Sequence, residues 1–185
     1  MSRSSVCHTA PTIETPRLIL RAHKPTDLPR CVEMLSDPVV LRFLRDKPYS
    51  REEVWTRMLR YGGHWQWFGY GFWAIEHKES GQFLGEAGLQ NFERDIEVEF
   101  CGKPELGYSL VSSAHGKGYA AETAQTIIAW FDRHIGTPLT YCMTSPQNTA
   151  SQRVALKCGY RFVRESQHRD APVAMFRREL GATPE

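Results

Sequence analysis

Apolar residues switch between a two-residue and a three-to-four-residue spacing along the chain, and the switches mark out its elements. Arg17–Ala22 reads as a first strand, with Leu18 and Leu20 on one face. Leu28, Cys31, Val32 and Leu35 then recur at helical spacing behind Thr26 or Asp27 as cap, and Asp37-Pro38 is expected to end that helix. Ser50 with Glu53 three residues on is a capping box, opening a helix through Val54, Met58 and Leu59 that Gly62-Gly63 is expected to break. Strand patterns follow at Phe72–His77, Phe83–Phe92, Ile96–Phe100 and Leu106–Val111, with a turn at Ser80-Gly81. Beyond Gly116 and Gly118, the spacing of Ala120, Ala124, Ile127, Ile128 and Phe131 predicts an amphipathic helix. A strand at Leu139–Thr144, a short helix at Asn148–Lys157 and strands at Tyr160–Glu165 and Val173–Glu179 complete the series. A meander running into β-α-β-α-β predicts an α/β (α+β) fold built on a mixed sheet.

The 185 residues suit one domain, placed at 13–180 between an N-terminal segment, 1–12, expected to be disordered and a short tail, 181–185. A net charge of +2 with scattered basic residues gives no footprint of a nucleic-acid binder. Five cysteines (Cys7, Cys31, Cys101, Cys142, Cys158) form no C-x-x-C pair, and the seven histidines do not fall at ligand spacing from them, so no metal is expected. Reduced, structural thiols in a cytoplasmic protein are the economical reading. No signal peptide is apparent, and no run approaches the ~20 apolar residues of a membrane span.

The informative stretch is Glu105-Leu-Gly-Tyr-Ser-Leu-Val-Ser-Ser-Ala-His-Gly-Lys-Gly-Tyr-Ala120, a strand that runs into a Gly-x-Gly turn opening directly onto a helix. Such a turn exposes successive N–H groups, and the helix start adds unpaired donors and a favourable dipole, together a site for a diphosphate. A P-loop is absent, because Lys117 lies between the glycines and Tyr119 follows the second. A dinucleotide fingerprint would tolerate Ala121 at its last position but needs an opening βαβ, and here a meander precedes it.

This segment resembles the GNAT acyltransferase superfamily. The family signature Gln/Arg-x-x-Gly-x-Gly/Ala corresponds to His115-Gly-Lys-Gly118-Tyr-Ala120, with His115 replacing the usual first residue. Phe83-Leu-Gly-Glu-Ala-Gly-Leu89, Glu105-Leu-Gly-Tyr108 and Asn148-Thr-Ala-Ser-Gln-Arg-Val-Ala-Leu-Lys-Cys-Gly-Tyr160 match the order of the branch that includes ribosomal-protein N-terminal acetyltransferases (RimJ/RimL-like). The pattern covers Thr15 to about Leu180. It implies a mixed, mostly antiparallel central sheet of about seven strands flanked by helices, with acetyl-CoA as acyl donor. By the same resemblance, the CoA pyrophosphate should lie on backbone N–H groups of His115, Gly116, Lys117, Gly118, Tyr119 and Ala120. The strand end at Leu110, Val111 and Ser112 should pair with the pantetheine arm. Asn148 should hold that arm or simply cap its helix, and Lys117 or Arg153 should meet a CoA phosphate.

Acetyl transfer to an amine needs a neutral nucleophile, a stabilised oxyanion and a proton for the departing thiolate. Glu105 is the leading candidate base, acting through water, and Glu86 the second; either could instead be an ion-pair partner. Many family members supply the thiolate acid from a tyrosine at the position of Ala155, which cannot donate a proton. Ser151, four residues earlier on the same helix face, is the substitute that the resemblance implies, its alternative role being to stabilise the first turn. The oxyanion donor is expected on the Leu110–Ser112 backbone. Asp95, Glu97 and Glu99 alternate with apolar residues as an acidic strand face that would attract a cationic amine or simply be solvated, and the aromatics of Trp65–Trp73 divide between core and acceptor pocket. The leading acceptor is a protein N-terminal α-amine. A small amine (amino acid, polyamine or aminoglycoside) is second, and a catalytically silent acetyl-CoA sensor third. Sheet edges and exposed aromatics would admit a homodimer without specifying one.

Overall fold

The computed structural model describes residues 9–94, 96 and 99–182. The chain runs from strand β1 (Ile13–Glu14) and β2 (Leu18–Arg21) into helices α1 (Leu28–Met34), α2 (Pro38–Leu41) and α3 (Arg51–Phe68). Strands β3 (Phe72–His77), β4 (Phe83–Gln90) and β5 (Glu105–Leu110) follow. The remainder is α4 (Tyr119–His134), β6 (Leu139–Thr144), α5 (Thr149–Lys157), β7 (Arg161–His168) and β8 (Ala171–Glu179). The eight strands form one sheet in the order β1-β2-β3-β4-β5-β6-β8-β7. Neighbours are antiparallel except β5 and β6, which run parallel. This is the expected mixed, mostly antiparallel sheet, with one strand more than anticipated.

Three local expectations differ from the structure. Gly62-Gly63 does not break α3, which continues to Phe68 and ends at Gly69 in the left-handed conformation (φ 70°). Each glycine costs only ~1 kcal/mol in a helix, and burial of Tyr61, His64 and Trp65 around the pair outweighs that. Asp37-Pro38 begins α2 rather than merely ending α1, the Asp37 carboxylate accepting from Val39 N–H. The proposed Ile96–Phe100 strand is not formed by its described residues: Ile96, Glu99 and Phe100 lie in bend and turn, while Asp95, Glu97 and Val98 lie outside the described residues. Of that acidic face, Glu99 is ion-paired with Arg164 at 2.9 Å.

Helices α4 and α5 cover one face of the sheet, where Leu18, Leu20, Trp73, Ile75, Leu106, Ile127 and Phe131 form the main core. Helices α1 and α3 cover the other, packing Cys31, Met34, Val54 and Met58 against Ala74 and Phe83. Alternation along β3 explains the division: Trp73 and Ile75 point one way, Ala74 the other. Of the aromatic run, Trp65, Tyr70, Phe72 and Trp73 are buried and Trp67 is 83% exposed. Among the described residues no helix is long and apolar enough to cross a membrane.

Candidate active site

The parallel pair β5–β6 is where the sheet opens. The two strands are in register only at Glu105 and Tyr141, next to a bond from Tyr141 N–H to the Pro104 carbonyl at 3.0 Å. Beyond that point they part, although β5 stays paired with β4 along its whole length. Val111 N–H bonds the Leu84 carbonyl on the β4 side at 2.9 Å. Backbone direction alternates in an antiparallel ladder, so Tyr108 and Leu110 turn their backbone groups toward the gap while Val111 turns away. Of the strand end expected to meet the pantetheine arm, Leu110 therefore faces the gap and Val111 does not. Ser112 already belongs to a 3-10 turn, Ser112–Ala114.

The gap leads to the glycine turn. Gly116 (φ 72°) and Gly118 (φ 79°) both adopt left-handed geometry, and a Cβ on Gly116 would meet nothing within 4 Å. The His115 N–H is spent on the Ser112 carbonyl at 3.1 Å, and its ring Nε2 lies 3.0 Å from the Leu110 carbonyl. His115 thus braces the turn, and the donors left for an anion begin at Gly116. Lys117 is exposed, and α4 starts at Tyr119, so its first N–H groups have no intrahelical partner. An open turn of this chemistry fits a diphosphate, as Ala120 at the first helical turn adds no bulk.

Arg17 holds that turn in place. Its guanidinium donates to the Lys117 carbonyl at 2.9 Å, pairs with Glu122 at 2.6 Å and lies over the Tyr119 ring at 4.6 Å. Thr15 donates to the same Glu122 at 2.6 Å. Nothing in the local pattern of Arg17 distinguishes it from a solvated strand residue; its partners come from about a hundred positions away.

Across the gap, Ser151 and Tyr108 meet, their hydroxyls 2.8 Å apart. Asn148 caps α5 by accepting from Ser151 N–H at 3.1 Å, which sets the serine at the start of the helix. Burial pushes the Tyr108 hydroxyl well above its ordinary range, outweighing the Ser151 hydrogen bond, so it keeps its proton at neutral pH. Tyr108 lies in the Glu105-Leu-Gly-Tyr108 motif, yet its strand position alone does not reveal that it faces α5. Arg153 lies exposed on α5, with no ion pair among the described residues.

The opposite face of β5 carries Glu105, Gly107 and Ser109. Glu105 receives two bonds from Arg94, one of them to Oε1 at 3.0 Å, and another from Tyr141 at 2.8 Å. Glu86, beside Ser109 in the ladder, is fully buried. Burial would raise its pKa, but Arg57, His23 and Tyr61 overcome it and hold the carboxyl at about 2. Arg57 and Tyr61 both donate to its Oε1, at 2.8 and 2.7 Å. His23, Cys31 and Glu86 also gather donor atoms within 4.8 Å of one another. The Arg57 cation on the same carboxylate balances its charge there without an ion. Both candidate bases are therefore anchored in ion pairs. Cys31, Cys142 and Cys158 are buried free thiols and Cys101 is an exposed one.

Residues 17–161 match the acetyltransferase (GNAT) domain family. The chain is 29% identical over 174 residues to the YkkB protein of Bacillus subtilis, covering 89% of this chain and 94% of that one. Its fold is similar to an acetyltransferase from Agrobacterium tumefaciens, with a TM-score of 0.77 and 27% identity over 95% of this chain and 98% of the other. It is also similar to RimL, a ribosomal-protein α-N-acetyltransferase in complex with coenzyme A, with a TM-score of 0.75, 19% identity and coverage of 93% and 99%.

Proposed function

The chain belongs to the acetyltransferase (GNAT) family and is an acetyl-CoA-dependent acyltransferase; on that premise we propose that its acceptor is a protein N-terminal α-amine, acetylated by direct transfer in a ternary complex. One observation carries the choice of acceptor. Glu105 and Glu86, the two carboxylates named as bases, are both held by arginines, at Arg94 and Arg57. Neither carboxylate is free of a guanidinium partner. That arrangement suits an amine that sheds its proton unaided: at pH 7.3 about a fifth of an α-amine is neutral, against about one part in a thousand for lysine. The fold shared with RimL points the same way and toward the ribosomal-protein branch.

Acetyl-CoA supplies the acetyl thioester. The N–H groups from Gly116 to Ala120 bind its pyrophosphate, with Lys117 and Arg153 as nearby cations, and the gap-facing backbone of Tyr108 and Leu110 receives its amide-bearing arm. A backbone N–H in the same gap polarises the thioester carbonyl. The amine enters from the Glu105 face, and the second lone pair of Glu105 Oε1 orients it or its attendant water, through which the amine proton leaves to solvent. As the N–C bond forms and the C–S bond breaks, the Tyr108–Ser151 pair hands a proton to the thiolate and regains one from the solvent that received the amine proton. Ser151 takes the place of the tyrosine that Ala155 lacks.

The test is transfer of isotopically labelled acetyl from acetyl-CoA to a pooled set of peptides, amino acids, polyamines and aminoglycosides, read by mass spectrometry. Label on peptide α-amines is the expected result. Label confined to a small amine moves the assignment to metabolite acetylation. Stabilisation by acetyl-CoA without any transfer would indicate a silent sensor.

A further inference from the structure

Three arginines converge on the acceptor side of β5, and their partners are unequal. Arg57 is matched by Glu86 and Arg94 by Glu105. Arg94 spends a further donor position on His168 Nε2 at 3.1 Å. Arg60, one turn along α3 from Arg57, has no carboxylate within ion-pair distance among the described residues and is exposed. What holds it is the Phe92 ring, with the Arg60 guanidinium carbon 5.4 Å and that of Arg94 4.4 Å from the ring centre. Phe92 in turn stands edge-on to Phe72 at 6.4 Å, and the Phe72 ring packs against Gly107. Arg60 is thus linked through two rings to the middle of β5, on the face that carries Glu105.

Two groups on separate elements register the resulting field. Partial desolvation of the otherwise exposed Arg60 guanidinium lowers its pKa first, and the charges of Arg57 and Arg94 lower it further against the opposing pull of Tyr61 and Glu86. The His168 pKa, at the end of β7, is lowered by burial and then by Arg94 and Arg169. His168 is therefore neutral near pH 7 and adds no further positive charge. Two guanidiniums on one ring, one of them without an acidic partner among the described residues, offer donors whose geometry matches the planar oxygens of a carboxylate.

We propose that the acceptor is an amine bearing an acidic group, and that Arg60, seconded by Arg94, receives that group and sets specificity. This rests on the acetyl-transfer reading above and narrows it to a substrate class. The acidic group belongs either to an Asp or Glu side chain near a peptide N-terminus or to the carboxylate of a small amine.

The experiment compares labelled acetyl transfer to peptides alike except for Glu, Gln or Lys at the second and third positions, alongside amino acids and their decarboxylated amines. The intact protein and its Arg60→Glu and Arg60→Gln variants are assayed, with thermal stabilisation by acetyl-CoA as the folding control. Expected for the intact protein is a kcat/KM for acidic acceptors about tenfold above neutral ones, within the range of interfacial charge pairs. Arg60→Glu should abolish or invert that order, and Arg60→Gln should flatten it. Preference for Glu peptides supports a peptide acceptor, and preference confined to amino acids over their decarboxylated amines supports a small one. Equal rates across the charge series, or an acidic preference unmoved by Arg60→Glu, overturns the proposal while leaving acetyl transfer standing. Transfer to no amine at all, with acetyl-CoA still stabilising the protein, overturns the acceptor reading and this inference together.

Discussion

The Tyr108 hydroxyl lies 2.8 Å from that of Ser151, joining β5 to α5 beside the gap where β5 and β6 part. Two hydroxyls in contact share one proton path, so they should act as a unit in protonating the thiolate. Tyr108→Phe and Ser151→Ala are each expected to lower kcat at least ~10-fold, the lower end of general acid catalysis. The double variant should be little worse than the poorer single one, since residues in one unit are not additive. Steady-state rates at saturating acetyl-CoA decide it, and near-normal turnover in either variant, with folding intact, removes that residue from the step.

Arg17 grips the glycine turn through the Lys117 carbonyl and Glu122. Arg17→Ala is expected to weaken acetyl-CoA binding about tenfold, the equivalent of one charge-assisted hydrogen bond lost from a pre-formed site. The kcat at saturating acetyl-CoA should stay close to that of the intact protein. Calorimetric titration with acetyl-CoA separates this from a general loss of folding.

His64 links α3 to the loop that carries Phe92 and Arg94. Its Nε2 accepts from Asn91 N–H at 3.0 Å, so the proton sits on Nδ1, 2.6 Å from the Tyr70 carbonyl. Burial lowers its pKa. Below the ordinary value of about 6.5 the unfolded chain takes up a second ring proton, which the folded protein resists because Nε2 is occupied as an acceptor. The contribution is complete above that pH and is lost as pH falls toward the folded pKa. Intact protein should therefore lose more Tm between pH 7.5 and 5.5 than His64→Gln does; equal losses would refute this.

Gly88 and Gly63 should respond oppositely to alanine. A Cβ on Gly88 would stand 2.1 Å from the Gly71 carbonyl oxygen and 2.5 Å from the Phe72 Cα, both backbone atoms of the adjoining strand region. Gly88→Ala is expected to cost more than ~4 kcal/mol, the exceptional end of single substitutions. A Cβ on Gly63 would meet nothing within 4 Å inside α3, so Gly63→Ala should stabilise by ~0.5–1 kcal/mol. Denaturant unfolding of both variants measures the contrast.

Much of the fold was legible because its elements declare themselves locally. The Ser50–Glu53 box, the two-residue period of Phe72–His77 and Leu139–Thr144, and the glycines before α4 require only neighbours within a few positions. The same holds for the glycine turn and for Asn148 as cap. What failed locally failed for a tertiary reason: Gly62-Gly63 stays helical because Tyr61, His64 and Trp65 bury around it.

The sequence by itself determined most of the element order and the glycine turn that opens α4, since these depend on spacing and backbone freedom. Tertiary structure decided which groups are spent and which are open. Glu105 and Glu86 read equally as bases or as ion-pair partners until Arg94 and Arg57 arrive from other elements. Tyr108 finds Ser151 from 43 positions away. Arg60 is distinguished from Arg57 and Arg94 by having no acid in ion-pair distance among the described residues. A side chain's charge and proton affinity are set by whatever stands within a few ångströms, and the folded chain brings those neighbours from distances along the sequence that no local period encodes.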